Sequence, residues 1–175
     1  MNVVAFGASN SSNSINKMLA HYTAAQIPDA TVEVLDLNDF DVPMYSEDVE
    51  KKIGQAEGAK AFLDKLQQAD AIVVAFAEHN GSYTAAYKNL FDWTSRIERN
   101  VFGNKPALFL ATSPGPGGAK NVLAAAVASA GYFGADLKGS HSVPSFYDTF
   151  DVQSGAPIEA DLEQQLKTLA STLSN

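Results

Sequence analysis

Residues 7–16 read Gly-Ala-Ser-Asn-Ser-Ser-Asn-Ser-Ile-Asn and join the first apolar run of the chain to its first amphipathic run. The apolar run, residues 3–6, is typical of a strand buried in a parallel sheet. Apolar residues recur at helical spacing from Ile15 to Tyr22, so a helix is predicted to begin near Ser14. A loop between a strand and a helix directs free backbone N–H groups and the positive end of the helix dipole at one point. Residues 7–16 are therefore predicted to bind an anion such as a phosphate.

This loop matches neither of the two best-known phosphate loops. It contains neither the Gly-x-x-x-x-Gly-Lys of P-loop proteins nor the Gly-x-Gly-x-x-Gly of dinucleotide-binding folds. Hydroxyl groups would therefore supply contacts that glycine backbone makes in those folds. Taken alone, the stretch is equally typical of a turn rich in serine and asparagine, followed by an ordinary helix N-cap.

Length and composition exclude several classes of protein. A chain of 175 residues is long enough for one domain with a substantial core, so a single domain over residues 1–175 is predicted. The net charge of −8 disfavours a nucleic-acid partner, because such proteins normally present a basic face. The absence of cysteine excludes disulfides, thiolate metal sites and cysteine catalysis. No run resembles a signal peptide or a membrane span, so a soluble cytoplasmic protein with no membrane partner is expected.

Strand-like and helix-like segments alternate along the whole chain. Strands are predicted over residues 3–6, 31–37, 69–76, 105–112 and 135–143, and helices from residue 14 and over 48–69, 87–97, 122–133 and 162–173. This alternation predicts an α/β fold with a five-stranded parallel sheet covered by helices on both faces. For a strand order of 2-1-3-4-5, ligands bind at the carboxyl edge, between the first and third strands.

Three unusual loops leave that edge, after the first, third and fourth predicted strands. They are residues 7–16, the polar loop 77–82 and the glycine-rich loop 113–118. Small residues dominate all three loops, so a flat ligand would approach the backbone closely. Its phosphate is expected on the first loop and its ring system between the other two.

The chain resembles the NADPH-dependent FMN reductases of flavodoxin-like fold, a family that includes quinone, azo-dye and chromate reductases. The family's phosphate loop runs Gly-Ser-x-Arg-x-x-Ser-x-Asn, and this chain matches it at Ser9, Ser14 and Asn16. The more specific motif is Pro-Glu-Tyr-Asn-x-Ser followed by Leu-Lys-Asn-x-x-Asp-Trp. The chain matches that motif at Glu78, Asn80, Ser82, Lys88, Asn89, Asp92 and Trp93.

The chain also departs from both motifs. Ser11 stands where the family has an arginine that pairs with the phosphate, so one charge-assisted hydrogen bond is missing. Ala8 replaces the family's first glycine. In the second motif, Ala77 and Thr84 replace prolines, and His79 replaces a tyrosine beside the ring.

The resemblance implies a flavodoxin-like three-layer sandwich that binds FMN through the three loops. The implied cofactor-binding residues are Ser9, Ser11, Ser14, Ile15 and Asn16 in the first loop, Glu78, His79, Asn80, Gly81 and Ser82 in the second, and Ser113, Gly115, Gly117 and Gly118 in the third. No catalytic side chain and no metal is implied, because the flavin carries the chemistry.

The activity implied by the resemblance is ping-pong electron transfer from NADPH or NADH, through FMN, to a flavin, a quinone or another small acceptor. A homodimer or homotetramer is expected, with Tyr87, Phe91, Trp93 and the loop 42–45 offering apolar area for the subunit contact. Two other functions stay open: a flavin-binding electron carrier or regulator without turnover of its own, and a family member that has lost flavin binding. A serine hydrolase is disfavoured because the chain lacks Gly-x-Ser-x-Gly.

Several motif residues also have a purely structural interpretation. Asn80 and Gly81 are typical of a turn that requires positive φ. Lys88 and Asn89 are expected to stabilise a helix or tether a loop, and Asp92 and Trp93 to pack a helix.

Overall fold

The structure is a computed structural model and describes residues 1–174. Two 3-10 turns, Leu37–Asp39 and Gly131–Phe133, accompany its regular elements. In chain order, the helices and strands are β1 (Asn2–Ala8), α1 (Ile15–Ala25), β2 (Thr31–Leu35), α2 (Glu47–Ile53), α3 (Glu57–Gln68), β3 (Ala71–Phe76), β4 (Glu78–His79), β5 (Ser82–Tyr83), α4 (Ala85–Ile97), β6 (Lys105–Thr112), α5 (Lys120–Ser129), β7 (Ala135–Val143), α6 (Phe146–Thr149), β8 (Phe150–Asp151), β9 (Ala156–Pro157) and α7 (Ala160–Ser171).

Five strands form one parallel sheet in the order β2-β1-β3-β6-β7. Every residue of the central strand β3 is buried. Its uninterrupted apolar sequence is that of a strand covered on both faces. The predicted strand order and the parallel direction are confirmed.

Helices cover both faces of the sheet and divide the core in two. Successive side chains of β1 point to opposite faces, so Phe6 belongs to the core formed with α3, α4 and α5, while Ala5 belongs to the core formed with α1 and α7. The ring of Phe6 meets Phe62 of α3 edge to face, with centroids 5.3 Å apart. This arrangement confirms the predicted three-layer α/β sandwich.

The prediction of one helix over residues 48–69 is wrong, because the structure has two helices, α2 and α3. Gly54 ends α2 with a φ of 74°, a backbone conformation that glycine adopts readily. Ile53, which extended the apparent apolar stripe, is exposed. The apparent apolar stripe of one helix therefore runs across Gly54, a residue that terminates a helix.

The polar loop predicted after β3 contains a hairpin. β4 and β5 pair antiparallel, and the two residues between them, Asn80 and Gly81, have φ of 52° and 77°. Positive φ at both central residues defines the type I′ turn, which Asn-Gly favours. The interpretation of Asn80-Gly81 as a turn is confirmed.

Other boundaries differ from the prediction by a few residues. β2 ends at Leu35 rather than at residue 37, because the carboxylate of Asp36 accepts a hydrogen bond from the N–H of Asn38 and caps a 3-10 turn. The segment between the last predicted strand and the last predicted helix contains α6, β8 and β9. Within residues 1–174, no helix has the length and apolar character needed to cross a bilayer.

Candidate functional site

The loops after β1, β3, β6 and β7 enclose a crevice of about 240 Å³ at the carboxyl edge of the sheet. This volume is below the roughly 300–1,000 Å³ of typical ligand pockets, so a flavin would be only partly enclosed. The predicted cofactor residues that line the crevice are Ser9, Ser11, Ser14, Ile15, Asn16, Glu78, His79 and Ser113. The predicted residues that do not line it are Asn80, Gly81, Ser82, Gly115, Gly117 and Gly118.

The first turn of α1 presents free backbone donors to the crevice. Ser14 is the N-cap, and its Oγ accepts a hydrogen bond from the N–H of Lys17 at 3.1 Å. Within residues 1–174, the N–H groups of Asn13, Ile15 and Asn16 donate no hydrogen bond. Unpaired N–H groups at a helix N-terminus attract anions, and the helix dipole adds to the attraction.

The phosphate loop is held in place from both sides. The Oγ of Ser9, which is buried, accepts a hydrogen bond from the N–H of Ser11 at 3.1 Å. Behind the loop, a Cβ on Gly7 would lie 2.5 Å from the backbone N of Lys17. Only glycine at this position lets α1 begin so close to β1.

The charges near the loop are paired with one another. The Nζ of Lys17 lies 2.6 Å from a carboxylate oxygen of Asp36. This hydrogen bond is the main reason that the pKa of the Asp36 carboxyl is lowered, and the N–H of Asn38 adds to the effect. Residues 7–16 contain no lysine or arginine, so their donors to an anion are neutral N–H, O–H and amide groups.

Asn16 connects the first loop to the third. It is 3% exposed, its Nδ2 donates to the carbonyl of Thr112 at 3.1 Å, and its Oδ1 accepts from the Thr112 N–H at 2.9 Å. The start of α1 is thereby tied to the last residue of β6. Direct contact between Asn16 and a phosphate stays a prediction.

Glu78 connects the hairpin to the first turn of α5. Its Oε2 accepts a hydrogen bond from the N–H of Val122 at 2.8 Å, and its Oε1 accepts one from Asn121 at 3.4 Å. The residue at the N-cap of α5, Ala119, has no side-chain acceptor, so Glu78 supplies the cap. The exposed side chain of His79 lines the crevice beside it.

The rest of the second motif anchors neighbouring loops. Thr84, which is buried, donates to the carbonyl of Ala8 at 2.9 Å and also caps α4. Asn89 and Trp93 both donate to the carbonyl of Pro43, at 3.0 and 2.7 Å. The structural roles expected of Asn89 and Trp93 are confirmed.

The glycines of the third loop differ in what requires them. A Cβ on Gly118, which has a φ of +58°, would lie 2.3 Å from the Oγ of Ser142. At Gly115 and Gly117, no atom lies within 4 Å of an added Cβ and φ is not positive. The space beside these two glycines is open to a ligand that approaches the backbone.

Tyr147 is a crevice residue that the sequence analysis missed. It belongs to α6, is 59% exposed and lines the crevice. The loop that carries it is joined to the third loop, because the N–H groups of Ser145 and Phe146 donate to the carbonyls of Gly115 and Ser113 at 2.9 and 3.0 Å. Helical spacing gives no signal for α6, which is only four residues long.

The prediction that Tyr87 and Trp93 offer apolar area for a subunit contact is wrong. Tyr87 is 4% exposed and Trp93 is fully buried, so both are committed to the core of this chain. Trp93 packs edge to face against Tyr45, with centroids 5.2 Å apart. In the loop 42–45, Met44 is 73% exposed.

Comparisons with known proteins agree with this geometry. A model of the NADPH-dependent FMN reductase family matches residues 1–145. The chain is 34% identical to a quinone reductase of Escherichia coli K12 over 122 residues, which is 69% of this chain and 64% of that protein. It is 34% identical to an NAD(P)H-dependent FMN reductase of Pseudomonas aeruginosa over 50% of this chain and 46% of that protein. The chain thus spans less than two thirds of the length of these two relatives.

Solved structures show the same fold. The flavoenzyme NAD(P)H:(acceptor) oxidoreductase FerB of Paracoccus denitrificans aligns with a TM-score of 0.79 and 21% identity, over 97% of this chain and 92% of that chain. An FMN-dependent NADH-azoreductase of Bacillus anthracis, solved in complex with FMN, aligns with a TM-score of 0.66 and 15% identity over the whole of both chains. At these identities the likeness concerns the fold alone.

Proposed function

Because the chain belongs to the NADPH-dependent FMN reductase family, we propose that it is a single-domain oxidoreductase that binds FMN in the crevice. NADPH or NADH is the proposed donor, and a flavin, a quinone or another small molecule is the proposed acceptor. The relatives named as quinone reductase and FMN reductase support this choice of donor and acceptor.

The observation that carries the proposal is the set of unpaired N–H groups at the start of α1, at the base of the crevice. The residues fit FMN in two respects. The N–H groups, the helix dipole and the hydroxyls of Ser9 and Ser14 would bind its phosphate, since each hydroxyl accepts from the backbone and keeps its own proton to donate. The open space beside Gly115 and Gly117 would accept the edge of a flat ring.

When bound, FMN supplies hydride acceptance from a nicotinamide and electron delivery to the second substrate. The chain's own residues would bind FMN and orient it toward the substrates. Backbone N–H groups of the glycine-rich loop at the start of α5 would stabilise negative charge that develops on the ring, without a charged side chain. His79, from the hairpin after β3, and Tyr147, from α6 after β7, line the crevice and would contact the ring or the substrate stacked on it.

The visible spectrum tests the proposal. The protein with FMN is expected to show the two absorption bands of a bound oxidised flavin, and anaerobic NADPH or NADH is expected to bleach them. Multiple-turnover reduction of a quinone separates an enzyme from an electron carrier without turnover. A protein that takes up no FMN in titration would contradict the proposal, and bleaching without turnover would favour the carrier.

A Ser11→Arg substitution tests where the phosphate lies. A guanidinium beside a phosphate forms a charge-assisted hydrogen bond of about 1.5–3 kcal/mol, and exposure of Ser11 to solvent favours the lower end. FMN affinity is therefore expected to rise roughly tenfold, and less at high salt. Fluorescence titration at low and high salt measures the change.

Riboflavin is the control for Ser11→Arg because it has no phosphate. Its affinity is expected to stay unchanged in the variant and to be weaker than that of FMN in the wild type. Equal gains for FMN and riboflavin would mean that the phosphate does not lie on residues 7–16.

We also propose that the chain forms a homodimer or homotetramer and that it is located in the cytoplasm. The exposed side chain of Met44, on the loop that Asn89 and Trp93 anchor, supports a subunit contact there. Any such contact uses fewer aromatic residues than the sequence predicted, because Tyr87 and Trp93 are buried.

A further inference from the structure

A second cavity, of about 320 Å³, lies between α4 and α5. It shares no lining residue with the crevice. Aromatic rings dominate its wall: Phe76, Tyr83, Tyr87, Phe91, Phe102, Phe109 and Phe133. The rings pack against one another, for example Phe91 on Phe133 with centroids 4.7 Å apart, so the wall is rigid as well as apolar.

The hydroxyl of Tyr87 is a polar group in this apolar wall that stays accessible, because the fully buried side-chain atoms without a partner in the described chain are Gln55 Oε1 and Asn100 Oδ1. Tyr87 is 4% exposed, and burial raises its pKa well above the usual range for tyrosine. No hydrogen bond to its hydroxyl is formed by the residues of the described chain. The hydroxyl of the neighbouring Tyr83, in contrast, interacts with the side chain of Ser129. A hydroxyl without a protein partner in the wall of a cavity is free to donate a hydrogen bond to a ligand oxygen.

The residues of the lining that reach solvent form a partly polar rim. Lys88 and Asp92, which form an ion pair at 2.7 Å on α4, stand at this rim, and the exposed Ala125 of α5 stands opposite. A methyl group at residue 125 leaves the entrance open. The neighbouring Ala124 is also exposed but does not line the cavity.

We propose that this cavity binds a small planar aromatic molecule whose single oxygen accepts a hydrogen bond from the hydroxyl of Tyr87. An apolar cavity of about 150 Å³ holds one benzene, so 320 Å³ suits two fused rings. The aromatic wall favours a flat ring system through edge-to-face contacts. The absence of any charged group next to the Tyr87 hydroxyl favours a neutral ligand over an anion.

The hairpin separates this site from the crevice. Tyr83 lines the aromatic cavity, whereas its antiparallel partner Glu78 lines the crevice. A molecule in the aromatic cavity and FMN in the crevice would therefore bind together without overlap. The proposal does not depend on the proposed reductase activity, because it rests on the cavity and the hydroxyl alone.

The test uses 2-naphthol and naphthalene as probes, in isothermal titration calorimetry without NADPH. One 2-naphthol is expected to bind per chain, with the same affinity in the absence and presence of saturating FMN. Tyr87→Phe is expected to lower the 2-naphthol affinity about tenfold and to leave the naphthalene affinity within twofold of wild type, because only the hydroxyl contact is lost. The variant's unfolding midpoint is expected to stay close to that of the wild type, since the hydroxyl has no hydrogen bond within the described chain to lose.

Ala125→Trp is expected to block the entrance and abolish binding of both probes. Ala124→Trp is the matched control, an exposed alanine on the same helix, and is expected to leave both affinities unchanged. Competition between 2-naphthol and FMN would place the probe in the crevice and overturn the proposal. If probe binding is lost as chains associate, the cavity belongs to a contact between copies and the proposal is overturned. Equal losses of affinity for 2-naphthol and naphthalene in Tyr87→Phe would show that the hydroxyl does not contact the ligand.

Discussion

Gly7→Ala is expected to lower the free energy of unfolding by about 3 kcal/mol or more and to abolish FMN binding. The added Cβ would lie 2.5 Å from the backbone N and 2.9 Å from the Cα of Lys17. Backbone atoms in the first turn of a helix cannot rotate away as a side chain would, so α1 would have to move from β1. The free N–H groups of the proposed phosphate site would move with α1.

Urea unfolding and FMN titration measure the two effects of Gly7→Ala. Gly115→Ala is the matched control for stability, because nothing lies within 4 Å of its added Cβ and its φ is not positive. The free energy of unfolding of Gly115→Ala is expected to stay within about 0.5 kcal/mol of that of the wild type. If Gly7→Ala were as stable as Gly115→Ala, the close contact between β1 and α1 would not be what holds the loop.

Asn16→Ala is expected to lower the free energy of unfolding by about 2–4 kcal/mol in the absence of FMN. The substitution removes two hydrogen bonds, at 3.1 and 2.9 Å, and leaves the N–H and the carbonyl of the buried Thr112 without these partners. Each buried polar group that loses its partner costs about 1–3 kcal/mol. Thermal and urea unfolding of the FMN-free protein measure the loss.

Asn13→Ala is the control for Asn16→Ala, because Asn13 also lines the crevice but is exposed. Its stability is expected to stay close to that of the wild type. Titration of Asn16→Ala with FMN and riboflavin then separates two roles. A loss for FMN alone would show direct phosphate contact, and equal losses for both ligands would show that Asn16 positions the loop. Full stability of Asn16→Ala would contradict the role of the bridge to Thr112.

The parts of the fold that sequence predicted well depend on periodic burial. The apolar runs of β3 and β6 are typical of strands between two covering layers, so their positions and the parallel direction of the sheet followed from the sequence pattern. Helix boundaries were less certain, because Gly54 stops α2 without interrupting the apparent spacing of apolar residues. The hairpin was read as a loop because two-residue strands carry no measurable alternation.

The site was predicted at the level of loops rather than of individual contacts. The sequence correctly brought Ser9, Ser14 and His79 to one crevice, since loops after parallel strands share an edge. It did not reveal that Glu78 caps α5, because Val122 is 44 residues away along the chain. Tyr147 was missed for the same reason: the loop that carries it is fastened to the third loop by backbone hydrogen bonds, which leave no trace in side-chain pattern.

The sequence by itself determined the α/β class and the carboxyl edge as the candidate site, because these follow from local periodicity, and its short motifs carried the family resemblance that implies the strand order. Only the tertiary structure decided which polar side chains are free to meet a ligand and which are occupied by the protein. Asn16 and Glu78 read as ligand contacts in the sequence, yet their polar atoms bond to Thr112 and Val122. The hydroxyl of Tyr87 read as part of a helix stripe, yet it has no partner within residues 1–174. Hydrogen-bond partners are set by distances in space between residues far apart in the chain, and sequence spacing does not encode those distances.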